Sequence, residues 1–152
     1  MAALAAIATV WVQNTSTRTT LSVDLIFRLN EEFDSPRMKD YRREAAAGLL
    51  KGEMRSQLNS VMDFFDGVGL LLRRKAIHED ILFENFGQAP LCYWFSAKPF
   101  SDKAGKSSAE YDNYSYLVSR HLKYASRVGR DPDALHDEEH RGQFLVEESN
   151  LF

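Results

Sequence analysis

Between residues 58 and 72 apolar side chains recur at steps of three and four. Leu58, Met62, Phe65, Gly69 and Leu72 form one stripe, and Val61, Phe64, Val68 and Leu71 widen it. That period belongs to one side of an α-helix, and a face this broad predicts a central helix covered from several directions. Gly67 and Gly69 each weaken such a helix by about 1 kcal/mol. No phosphate-loop pattern surrounds them, so the expected compensation is close approach of a neighbouring backbone. Arg73, Arg74 and Lys75 fall in the last turn, where cations suit the helix dipole.

The same period organises the flanking segments. Upstream, Leu21, Leu25, Ile26, Leu29 and Phe33 share a face, and a turn near Asp34 to Pro36 leads into a second helix. Ser35 is placed as its N-cap, Pro36 as its first residue, and Gly48 or Gly52 as its stop. Downstream, Ile77, Ile81, Leu82 and Phe86 point inward from a short helix that His78 caps and Gly87 ends. Pro90 opens an aromatic turn of helix in "PLCYWF". Tyr111, Tyr114, Val118, His121, Ala125 and Val128 then outline a last packed helix.

No stretch alternates long enough for a strand, and no solenoid repeat is present. The expected fold is all-α: a bundle of about five helices over residues 14–129, behind an apolar run at 1–13 and ahead of an irregular acidic tail at 130–152. That tail holds seven acidic residues between Asp131 and Glu148 against Arg141. It reads as a solvated appendage, with Phe144, Leu145 and Val146 as its means of docking back.

Composition narrows the classes. Of 152 residues 44% are hydrophobic and 27% charged, enough to build one core and unlike a disordered chain. A net charge of −3 gives no overall attraction to nucleic acid. The single cysteine, Cys92, excludes an internal disulfide framework and fits a reducing compartment. The opening "MAALAAIATVWV" is shorter than the roughly 20 apolar residues a spanning helix needs and lacks the basic start of a signal peptide. It leaves three readings: a buried helix, an interfacial anchor with Trp11 at the polar border, or the trailing part of a longer membrane segment.

Candidate chemistry is sparse. "HDEEH" sets His136 and His140 at zinc-helix spacing, but the segment lacks an apolar side and a third histidine. No metal or cofactor is expected, and no catalytic set. Cys92 sits among apolar neighbours, as a core cysteine does, and His121 lies on a helix seam, as a hydrogen-bonded interior histidine does. Asp63 and Asp66 flank Phe64 and Phe65 without the Glu-x-x-His units of a di-iron bundle. Gly105-Lys106-Ser107 lacks the rest of a phosphate loop. Between Arg37 and Arg55, the cations Arg37, Lys39, Arg42, Arg43, Lys51 and Arg55 stand against Asp40, Glu44 and Glu53; they read first as an ordinary charged helix face, and alternatively as a basic surface for anionic headgroups, at about 1 kcal/mol per residue.

"FRLNEEFDSPRMKDYRREAA", "LNSVMDFFDGVGLLLRRKAIHEDILFENFG" and "YWF" together resemble a family of small bacterial helical domains of unknown function. The resemblance rests on Phe27 to Asn30, Arg42-Arg43, Asn59, Phe64-Phe65, Gly69, Ile77, Phe86-Gly87 and Tyr93-Trp94, roughly residues 21–95. It implies an N-terminal membrane helix before a cytoplasmic helical region, and no catalytic residue to transfer. This chain departs in having only about twelve apolar residues at that end. The expectation is a non-enzymatic helical interaction module, cytoplasmic or at the inner membrane, engaging a protein partner or a second copy of itself. The alternative is a small-ligand or enzymatic pocket between the central helix and "PLCYWF", lined by Asp63, Tyr93, Trp94 and His121.

Overall fold

The computed structural model describes residues 19–103, 108–134 and 137–151. These residues hold no strand; they form seven α-helices, which are α1 (residues 19–33), α2 (Pro36–Leu50), α3 (Ser56–Arg73), α4 (Glu79–Phe86), α5 (Ala89–Lys103), α6 (Asp112–Arg127) and α7 (Glu138–Ser149). A 3-10 turn, Ser108–Tyr111, leads into α6.

Local chemistry sets the boundaries. The Ser35 hydroxyl accepts the Met38 N–H at 3.2 Å and Pro36 opens α2, as the pattern predicts. At its other end Gly52 takes φ +71°, and Glu53 N–H reaches back to the Gly48 carbonyl at 2.9 Å. This is a Schellman closure, in which a left-handed residue turns the chain and returns a donor to an orphan carbonyl. The end of α3 closes the same way, but there the left-handed residue is Lys75, at φ 57°. His78 stands at the N-cap of α4 without giving a side-chain cap bond; its own N–H donates to the Ser22 hydroxyl at 2.7 Å instead.

The central stripe packs as read. Leu58, Val61, Met62, Phe65, Val68, Gly69 and Leu72 are all buried on α3, whose main partners are α6 and α2. Gly69 is the point of closest approach: a Cβ there would overlap the Asn113 carbonyl oxygen and lie 2.6 Å from its carbon. Gly67 faces open space, so the backbone-contact expectation holds for one glycine of the two. Phe65 sits inside an aromatic cluster, with the rings of Phe33, Phe64, Phe86, Tyr93 and Tyr114 at 5.3–6.4 Å. One carboxylate flanking this cluster is structural. Asp66 accepts the Tyr114 N–H at 2.9 Å and the Asn113 amide at 3.0 Å. It thereby satisfies the start of α6, where Tyr111 occupies the N-cap and offers no side-chain acceptor.

The structure departs from expectation at both ends. On α1, Leu21 is 57% and Phe27 60% exposed, while Ser22 takes a buried place beside Ile26. The residues expected to form an irregular acidic tail include a twelve-residue helix, α7, so the helices number seven against about five. Asp137 caps α7 by accepting the His140 N–H at 2.7 Å. Phe144, Leu145 and Glu148 are buried against α2 and α5. Phe144 and Leu145 dock it as the sequence suggested, while Val146, the third residue of that expectation, is 50% exposed. Residues 1–13, including Trp11, lie outside the described residues, and no described helix is long and apolar enough to cross a membrane.

Candidate functional site

The one concentration of buried polar chemistry among the described residues joins α2, α5 and α7. Arg42 is 6% exposed, and its guanidinium forms a bidentate pair with Glu148, Nε to Oε2 at 2.7 Å and Nη2 to Oε1 at 2.5 Å. Nη1 donates to the Phe33 carbonyl at 3.0 Å and faces Asp34 at 3.4 Å, and the guanidinium carbon lies 3.8 Å over the Phe33 ring. The Tyr93 hydroxyl donates to Glu148 Oε2 at 2.7 Å. Arg42 falls on the stripe Met38, Arg42, Ala45, Ala46, Leu49, so the helical period itself turns it inward.

Arg42 is therefore not a membrane-facing cation. Three others of that set lie outward or nearly so: Arg37 exposed, Lys39 half-buried, and Arg43 bonded to Asp40 at 3.0 Å. Farther along the same face, Arg55 pairs with Glu44 at 2.5 Å.

Electrostatically the cluster is closed. Burial works against the charge on Arg42, but the Glu148 hydrogen bond and charge more than offset it, and the pKa is raised. Burial, followed by the charge and hydrogen bond of Glu148, pushes the Tyr93 hydroxyl well above its ordinary value. Every oxygen of Glu148 has a charged or hydroxyl donor. Charge-assisted bonds of this kind are the stronger class and fix the geometry of both partners.

The four residues expected to share a pocket are separated. Asp63 is exposed on α3, beside Tyr111, whose hydroxyl burial and then Asp63 raise to about 12. Tyr93 belongs to the cluster above. Trp94 packs edge-on to Tyr114, with ring centres 4.9 Å apart. His121 is 2% exposed and stacks on Phe83 at 4.4 Å, with Nδ1 buried and lacking a hydrogen-bond partner. Burial, then the charge of Arg130, lowers it to about 4, which keeps the imidazole neutral at neutral pH. The expected hydrogen bond of an interior histidine is thus missing at Nδ1. Stacking on Phe83, a residue absent from the expected inward set of α4, takes its place.

A cleft of about 530 Å3 opens beside this region, between the α4–α5 junction and α7. Arg42, Gln88, His121, Arg130, Phe144 and Glu147 are among its lining residues. His140 reaches across the neighbouring junction to touch Gln88 Oε1. Elsewhere the acidic row on α4 is paired from α6 and the residues just after it: Arg120 and Arg127 bind Glu79 at 2.5 and 3.1 Å, and Arg130 and Tyr124 bind Glu84. Cys92 is buried, and burial raises its thiol to about 12, as fits a core residue. Among the described residues no three His, Cys, Asp or Glu side chains converge on a metal position; His136 lies outside them.

Glu148 was the residue that sequence reasoning missed. It sits in an acidic run with nothing local to mark it. The signal that could have found the pair was Arg42, a cation standing inside the stripe Met38, Ala45, Ala46 and Leu49.

No curated protein and no solved structure matches this chain. The matching family model covers residues 1–120, which includes Arg42, Tyr93 and the whole α1–α5 framework and stops before α7. It agrees with the resemblance carried by residues 21–95, and it spans well over half of the sequence. The chain belongs to the family described as a domain of unknown function, DUF4760.

Proposed function

We propose that this domain is a non-enzymatic helical interaction module that engages a protein partner. One observation carries the reading. The polar side chains best suited to chemistry are satisfied by one another, as in Arg42–Glu148–Tyr93, or have unrelated surroundings: Asp63 is exposed, Trp94 packs on Tyr114 and His121 is buried on Phe83. An active site needs titratable groups converging on one substrate position.

A small-ligand reading has one observation in its favour: the cleft of about 530 Å3 that His121 helps to line, with Nδ1 unpaired. The two are separated by thermal-shift measurements across metal ions and small metabolites, together with purification of the full chain from its native source. A stoichiometric protein partner with a measurable Kd, and no saturable small-molecule shift, is the expected result. A saturable shift of several degrees that disappears in His121→Leu would replace this reading with the second.

The proposal extends to the apolar run 1–13, which we place against an anionic bilayer with Arg37 and Lys39 facing the headgroups. Support comes from Trp11 at the polar border and from the outward position of Arg37. The full chain is expected to sediment with anionic vesicles and not with neutral ones, and the chain starting at Thr15 with neither. Equal sedimentation of the two chains would end the membrane placement.

A further inference from the structure

The helix α7 touches the domain in an unusual way. Its packing partners are α2 and α5; it makes little contact with α6, the helix that precedes it. Ten residues, 128–137, connect the two. Of its own twelve residues only Phe144, Leu145 and Glu148 are buried, and Val146 is half exposed. The surface beneath is prebuilt by contacts that do not involve α7. Phe33 packs on Phe65 and Phe86, Tyr93 packs on Phe65, and the Arg42 guanidinium keeps the Phe33 carbonyl and ring. A buried ion pair is a poor way to gain stability and a good way to specify which helix fits. Arg42 and Tyr93, which read the carboxylate, lie within the family match; Glu148 lies beyond it.

We propose that the groove between α2 and α5 is a docking site for an amphipathic helix of a protein partner, one presenting an apolar pair and, a turn later, a carboxylate, and that α7 occupies it in cis. This rests on the interaction-module reading and names the partner's chemistry. Phe144, whose ring meets Tyr93 edge-on at 5.5 Å, and Leu145 show the apolar half of the pattern, and Glu148 shows the acidic half. Helix-in-groove recognition uses such anchors at three- and four-residue spacing. The open cleft beside α7 gives a longer partner helix further surface, including Arg130 and Phe86. A ten-residue tether holds α7 at an effective concentration of about millimolar, so a partner must bind more tightly than α7 itself or meet a chain in which α7 has been released.

The test titrates a labelled peptide of the Glu138–Ser149 sequence into full-length chains. Glu148→Gln in the chain weakens the cis occupant, so this variant should bind the peptide at least tenfold more tightly than the wild-type chain. A peptide carrying the same Glu148→Gln change should bind that variant at least tenfold more weakly than the unaltered peptide. If the variant keeps wild-type circular dichroism and binds both peptides equally, or neither, the groove assignment is overturned. Hydrogen exchange on the wild-type chain needs no variant: α7 amides should exchange at least a hundredfold faster than those of α3. Protection of α7 as deep as that of α3 makes it a core element and overturns the proposal. Sedimentation equilibrium showing a dimer that exchanges α7 assigns the groove to a second copy and overturns the partner assignment. None of these failures touches the interaction-module reading, which a saturable small-molecule ligand would defeat even if the peptide bound.

Discussion

Gly67 and Gly69 lie two residues apart on the same helix, and alanine should act on them with opposite sign. At Gly69 a methyl carbon would lie 2.6 Å from the Asn113 carbonyl carbon. Carbon atoms pack at about 3.5–4.0 Å, so α3 and the start of α6 must separate by about 1 Å. What opposes the methyl is backbone, which no rotamer change can move aside. The displacement also pulls Asp66 away from the Tyr114 N–H and the Asn113 amide, bonds of 2.9 and 3.0 Å. Overpacking costs about 1–3 kcal/mol and the loss of a charge-assisted hydrogen bond about 1.5–3 kcal/mol, while the helix propensity of alanine returns about 1 kcal/mol. The net is a loss of about 1.5–5 kcal/mol, or about 3–20 °C in Tm for a chain of this size.

Gly67 is exposed with nothing near its missing Cβ, so Gly67→Ala should stabilise by about 0.5–1 kcal/mol. Urea unfolding followed by circular dichroism at 222 nm measures both variants against the wild type. If Gly69→Ala unfolds within about 0.5 kcal/mol of wild type, or both variants shift in the same direction, the α3–α6 contact is not as described.

Arg42→Ala strands Glu148 in a buried site and should cost about 3–5 kcal/mol, whereas Arg42→Met with Glu148→Leu should recover most of that loss in the same urea assay. His121 titrates at about 4 when folded, below the roughly 6.5 of an unfolded histidine. Its folded pKa is lowered, so the unfolded chain binds the extra proton between those values; stability is full above about pH 6.5 and falls by about 3 kcal/mol as pH drops toward 4. Unfolding free energies at pH 7 and pH 4.5 should show this slope in the wild type and lose it in His121→Phe. Lys75 holds a left-handed conformation that costs a side-chain residue about 1–2 kcal/mol, against about 0.4–1 kcal/mol of added chain entropy for glycine. Lys75→Gly should therefore raise stability by up to about 1.6 kcal/mol, and a lower Tm than wild type would contradict the closure described at the end of α3.

Local period and end chemistry determined much of this protein before any contact was known. The helical stripe of α3, the Ser35–Pro36 start of α2 and the Gly87 stop of α4 depend on neighbours within a turn or two, which are written in order along the chain. Even the close approach at Gly69 was legible, because a glycine in a strong helix needs a reason. The period could not say which of two glycines met a backbone; only the placement of Asn113 did. On α1 the period found Ile26 and Phe33, with Leu25 and Leu29 against the core, and failed at Leu21, which is exposed while its neighbour Ser22 is buried. The site was the least legible part. Arg42 had acidic neighbours within one turn, and local charge counting assigned it to the surface. Its partner stands 106 residues away in a segment that looked solvated. A buried ion pair is a product of three-dimensional desolvation, and no local pattern encodes the distance across which two charges will be closed off from water. Phe144 and Leu145 marked the tail as able to fold back; tertiary packing alone decided that it does so as a helix in the groove between α2 and α5, and that Glu148 meets Arg42.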